Sequence, residues 1–169
     1  MQLKPVLMFA LLVVWSGVLQ ADEFSDQLTY LKKQAVGETG RAAKIAGYQE
    51  LLAAHPKHPQ RSVAMLDIAK LWQVHDPSNG IKQDLDQELK WLRKAASASE
   101  VASEIWFDVN FRIVGNIYFK DSKETRRILN NLIENSPNSI VDAHCQYELQ
   151  RLASHEKDYA EQELSLIHI

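Results

Sequence analysis

The feature that most restricts what this chain can fold into is a proline-broken apolar pattern that occurs twice. YQELLAAHPKHPQRSVAMLDIAKL, from Tyr48, and LNNLIENSPNSIVDAHCQYELQRL, from Leu129, align without a gap and place Pro56 on Pro137, 81 residues later. Leu51 falls on Leu132, Leu52 on Ile133, Ile68 on Leu149 and Leu71 on Leu152. Proline has no N–H to give a helix and its ring clashes with the preceding turn, so each copy predicts a helix, a break and a second helix. The break is not built for metal. Where the first copy has His55 and His58 the second has Ser136 and Ser139.

Apolar residues recur at helical spacing over nearly all the remaining chain, and no alternation persists long enough to predict a strand. Ile45, Tyr48, Leu51 and Leu52 mark one helix stopping at Pro56, and Met65, Ile68, Ala69 and Trp72 mark the next. The segment HDPSNG predicts a turn: it lacks the spaced carboxylates and distal glutamate of a calcium loop. Leu85, Leu89, Leu92 and Ala96 mark a third helix, a long one is expected from about Val101 to Phe119, and the last pair is expected over 122–135 and 139–154. Short turns between these six helices imply stacked antiparallel hairpins.

The first residues read differently. Lys4 precedes the apolar run PVLMFALLVVWSGVL, which is shorter than the roughly 20 residues of a membrane-spanning helix. Residues 1–21 are read as a secretory signal cut after Ala21 rather than as an anchor, with no cysteine for lipid attachment behind it. Removing Lys4 with that segment leaves 18 basic against 22 acidic residues. This balance speaks against nucleic acid and against stable membrane insertion after cleavage. The single cysteine, Cys145, cannot form an internal disulfide and reads as a small buried apolar residue.

No catalytic constellation stands out. His55, His58 and His75 lack the companion ligands of a zinc site. The acids Asp84, Asp86, Glu88, Glu161 and Glu163 read as helix-surface charge. There is no G-x-S-x-G and no phosphate-cradling glycine loop among six glycines. The expectation is a protein without catalysis, metal or cofactor.

Met65-x2-Ile68-Ala69-x2-Trp72 and Phe111-x2-Val114-Gly115-x2-Tyr118 resemble the first-helix pattern of the tetratricopeptide repeat family, and Tyr48 with Pro56 resembles its second-helix aromatic and closing proline. The H-P-x-H-P and S-P-N-S turns are most similar to envelope members of that family, those accompanying the Tol–Pal system and outer-membrane assembly. The resemblance covers roughly residues 25 to 163, as three hairpins and the start of a fourth in DYAEQE. Lys44 departs from the alanine the family prefers, Gln150 from a small residue, and the 75–84 loop stretches the middle unit.

The resemblance implies an all-α fold, a right-handed superhelix of stacked helical hairpins over residues 22–163, located in the bacterial periplasm or secreted. LSLIHI, residues 164–169, resembles a translated sequencing adapter and reads as a non-native tail on a truncated chain. In such a superhelix the first helices line a concave groove for a peptide or protein segment. The implied groove residues are Val63, Leu66, Lys70 and Gln73, then Val109, Arg112, Asn116 and Phe119, then His144, Tyr147 and Arg151. Lys70, Arg112 and Arg151 form a mild positive stripe suited to an acidic segment. Trp72, Trp91 and Trp106 are read as packing between helices. Two alternatives stay open: a helical arm of a larger envelope enzyme, and a structural protein that self-associates.

Overall fold

The computed structural model describes residues 23–34, 40–77, 80–136 and 138–167, with side chains described as far as 157. All regular structure among them is helical: α1 (23–33), α2 (Arg41–Ala54), α3 (Arg61–Gln73), α4 (Leu85–Ala98), α5 (Glu104–Ile117), α6 (Ser122–Glu134) and α7 (Ser139–Ile167). The expected secretory segment, residues 1–21, lies outside the described residues. The chain divides between Trp91 and Leu92, so α4 begins in one compact unit and ends in the other.

In the first unit the α2–α3 hairpin supplies Tyr48, Leu51, Leu52, Ala64, Ile68 and Leu71 to the core, and α1 adds Phe24 and Leu28. The HPKHP turn is what seats α1. Phe24, fully buried, stacks on the His58 ring at 3.9 Å and meets the His55 ring edge-on at 5.6 Å. At the other end of α1, the buried Lys44 donates from Nζ to the carbonyls of Lys32 (3.4 Å) and Gln34 (2.5 Å). The last carbonyls of a helix have no partner within it, and an ammonium there also complements the helix dipole. Lys44 is thus a cap for its neighbour. Gly47 gives α1 its close approach, because a Cβ there would lie 2.8 Å from Leu31 Cδ2.

The turn after α3 closes when Asp76 and Ile81 exchange both backbone hydrogen bonds, at 2.9 and 2.8 Å, with Gly80 at φ 68°. Asp84 N–H then donates to Trp72 O at 3.0 Å as α4 begins.

The second unit repeats the first. Residue 23 and Glu104 open α1 and α5, and Arg41 and Ser122 open α2 and α6, each pair separated by the same 81 residues as the two prolines. Burial repeats too: Tyr48 and Leu129, Leu51 and Leu132, Ala64 and Cys145, Leu71 and Leu152, and Lys44 and Thr125 are all buried. Cys145 therefore occupies a small core position, as expected. Ser103 Oγ accepts from Trp106 N–H (3.2 Å), Asp121 Oδ1 from Glu124 N–H (2.8 Å) and Asn138 Oδ1 from Val141 N–H (3.1 Å), so side-chain caps start all three helices.

Several expectations are corrected. Helix α1 is not among the six helices marked by apolar spacing; only the resemblance, reaching back to about residue 25, implies a helix before the one that carries Tyr48. The long helix expected from Val101 starts only at Glu104, since Ala102 adopts φ 65° and Ser103 caps. The helix expected over 139–154 runs unbroken to Ile167, without a turn before DYAEQE. Gly115, the small residue of the Phe111–Tyr118 pattern, is exposed and has nothing within 4 Å of a Cβ. Trp91 and Trp106 are buried, while Trp72 is half-buried under the Arg41 guanidinium, 4.7 Å from the ring centroid.

Candidate functional site

Within the second unit, α5 and α7 meet along aromatic and basic side chains in constant register. Phe111 packs on His144 with ring centroids 5.4 Å apart, and the Arg151 guanidinium lies 5.5 Å from the Tyr118 ring centroid; both pairs are 33 residues apart in sequence. Phe119 packs on His155 at 4.6 Å. Equal spacing means that the two helices run in the same direction, joined antiparallel through α6. The Tyr118 hydroxyl donates to Glu148 O at 2.7 Å and fixes the register.

These contacts border an open recess of about 430 Å³, lined by Tyr118, Phe119, Tyr147, Gln150, Arg151, Ser154 and His155. No aliphatic side chain lines it. Phe119 and Tyr147 stand 64% and 57% exposed at its edge.

Arg151 is the organising residue. Its Nη1 donates to both carboxylate oxygens of Glu148, at 3.1 and 3.0 Å, and its guanidinium also lies over Tyr147, 5.9 Å from the ring centroid. Among the described residues its Nη2 and Nε carry no hydrogen bond, and the side chain is about half exposed. Burial, helped by Glu148, pushes the Tyr118 hydroxyl up to about 12. It stays a neutral donor at physiological pH. Burial likewise pushes the Cys145 thiol up to about 11, with Asp142 and Glu148 adding to the effect, so the thiolate needed for nucleophilic chemistry is scarce.

The groove residues inferred from sequence are distributed as follows. Phe119, Tyr147 and Arg151 come together in the recess. His144 is exposed one to two turns away, against Phe111. Arg112 and Asn116 are half-buried on α5, with Arg112 Nε on Asp108 Oδ1 at 2.9 Å and Asn116 Nδ2 on Arg112 O at 3.0 Å. Lys70 and Gln73 are exposed on α3, in the first unit, and Val63 is half-buried there. Leu66 and Val109, expected in the groove, are buried in the core instead. Nor is the basic stripe a row of bare charges: Asp108 and Glu148 hold two of its members, and Lys70 interacts with Asp67, whose carboxyl is nonetheless held above the ordinary range by burial.

Sequence reasoning missed Tyr118, Gln150, Ser154 and His155. Three of these were legible, since Gln150, Ser154 and His155 lie three to eight residues beyond Tyr147 on the same helix.

Among the described residues no group of three or more His, Cys, Asp or Glu could hold a metal ion, and no helix is long and apolar enough to cross a membrane. Comparison with protein-family models, with curated proteins and with solved structures finds no match for this chain.

Proposed function

We propose that this chain is a non-catalytic protein-binding scaffold of tetratricopeptide type: a right-handed superhelix of stacked hairpins, exported to a bacterial envelope, that holds a partner segment on its first-helix face. The observation that carries the reading is the recess of α5 and α7, where exposed rings stand beside an arginine anchored by Glu148. The repeat geometry supports it. The first helices of successive hairpins make contacts 30 to 36 residues apart in the second unit, and 31 to 35 apart in the first, through Phe24 with His55 and His58 and Lys32 with Asp67. That spacing suits a hairpin repeat of about 34 residues. Export rests on the sequence of residues 1–21.

Mechanistically, the fold orders the receptor before the partner arrives. Arg151 is held by Glu148, Tyr118 and Tyr147, so little of its rotamer freedom remains to be lost on binding. A carboxylate on the partner would accept charge-assisted hydrogen bonds from the remaining Arg151 N–H groups, while an apolar side chain displaces water from the recess.

The test is selection of peptides from an unbiased display library on the purified chain. Enriched peptides should carry Asp or Glu beside an apolar residue, and Arg151→Ala should weaken them about tenfold, the size expected for a charge-assisted contact. Absence of enrichment, or equal binding to Arg151→Ala and Tyr147→Ala, would remove the reading.

A further inference from the structure

Helix α1 and its counterpart α5 carry very different amounts of core. On α5, Trp106, Val109, Ile113 and Val114 are all buried. The residues 81 places earlier are Ser25, Leu28, Lys32 and Lys33, of which Leu28 alone is buried. Phe24 is the other buried residue of α1. Burial of large apolar side chains is the main force that seats a helix, and α1 commits two of them.

Much of its remaining attachment is polar. Ser25 Oγ donates to Gln60 Oε1 at 3.2 Å among exposed groups, and Lys32 reaches Asp67 across 3.5 Å with its own side chain 44% exposed. Exposed contacts of this kind add little. The hairpin beneath α1 presents Lys44, Asp67 and the rings of His55 and His58 to it. Departure of the helix returns these groups to water, which relieves the cost of burying an ammonium and a carboxylate. Nor does the sequence of α1 sustain a helix alone: it spans only 23–33, and Ser25, Asp26 and Thr29 are poor helix formers.

We propose that α1 is a releasable strap: it detaches and melts as one piece while α2, α3 and the helices of the second unit stay folded, uncovering His55 and His58 at one end of its seat and Lys44 at the other. Few buried apolar side chains and a largely exposed surface are the properties of segments that open separately from the global transition. The proposal goes beyond the scaffold reading, because the recess of α5 and α7 takes no part in it.

The experiment is hydrogen exchange of the full chain, followed by mass spectrometry at one pH and at several urea concentrations below the unfolding transition. Amides 27–33, which are bonded within α1, should exchange about 100-fold faster than those of α5, at a rate that changes little with urea because the opening exposes little surface. Phe24→Ala should speed exchange in α1 by about tenfold or more, as loss of a buried ring does. Lys44→Met, which keeps an unbranched stem and removes the ammonium, should speed it as well. Neither variant should alter exchange in α5. Exchange in α1 as slow as in α5, and accelerating with urea in step with global unfolding, would overturn the strap. Loss of protection in α1 and α5 together in Phe24→Ala would do the same, since the two copies would then open as one. Parent-chain α1 amides exchanging at the rate of an unfolded peptide, with no further gain in Phe24→Ala, would show a helix that is never seated and would also sink the proposal.

Discussion

Gly115 stands inside α5 with open space where a Cβ would go, whereas Gly47 has Leu31 pressed against the same place. An exposed helix-interior glycine costs about 1 kcal/mol relative to alanine, so Gly115→Ala should raise the unfolding free energy read from urea melts by about that much, with a higher midpoint. Gly47→Ala should gain less, since Leu31 must swing away first. Equal gains would mean that Leu31 does not constrain α1. Cys145 offers a second check. With its thiol moved from 9.0 to about 11, thiolate at neutral pH is reduced roughly 100-fold. Alkylation of the folded chain should be slower than in urea by at least that factor, and parity would show that the side chain is not in the core. Its role was readable from sequence because it replaces Ala64, whereas the burial of Leu66 and Val109 was not, since a repeat pattern does not say which neighbour covers a given stripe.

At the level of the helix, the seating of α1 depends on charges that burial makes expensive. Asp67 lies 3.5 Å from Lys32, yet its carboxyl sits above the ordinary range, because burial outweighs the help of Lys32, Lys70 and Lys44. The folded state then keeps a proton that the unfolded state releases. Stability from this residue is present below the usual carboxylate value, about 4, and declines as pH rises through it. Between pH 4 and 7, urea midpoints of Asp67→Asn should therefore improve relative to the parent chain; a change in the opposite direction would make Lys32 the dominant influence. Helix identities were legible wherever a proline or a polar cap punctuates an apolar stripe, as at Pro56 and Asp121. They were illegible where tertiary contact decides. Helix α1 is short and exposes most of its surface, and it is held through Phe24 on two histidines and through Lys44 on its last carbonyls, contacts that no local pattern announces.

Across the whole molecule each unit carries one tyrosine whose neutral form is favoured by burial, Tyr48 in the first and Tyr118 in the second. Both hold their protons in the folded state after the unfolded chain has lost them, so stability is full below about pH 10 and drains away above it. Tyr48→Phe and Tyr118→Phe should each flatten part of that alkaline decline in urea melts between pH 9 and 11; an unchanged slope in either would mean that its hydroxyl is solvated. The duplicated block has a consequence for folding fidelity. Two three-helix blocks built on one residue-by-residue template invite exchange, with the first helix of one settling on the hairpin of the other while the chain is still collapsing. Position 44 and its counterpart 125 differ: the lysine donates to the last carbonyls of α1, whereas the threonine is buried completely in the matching place. The two seats are therefore lined by different chemistry, which sets one copy apart from the other at that point.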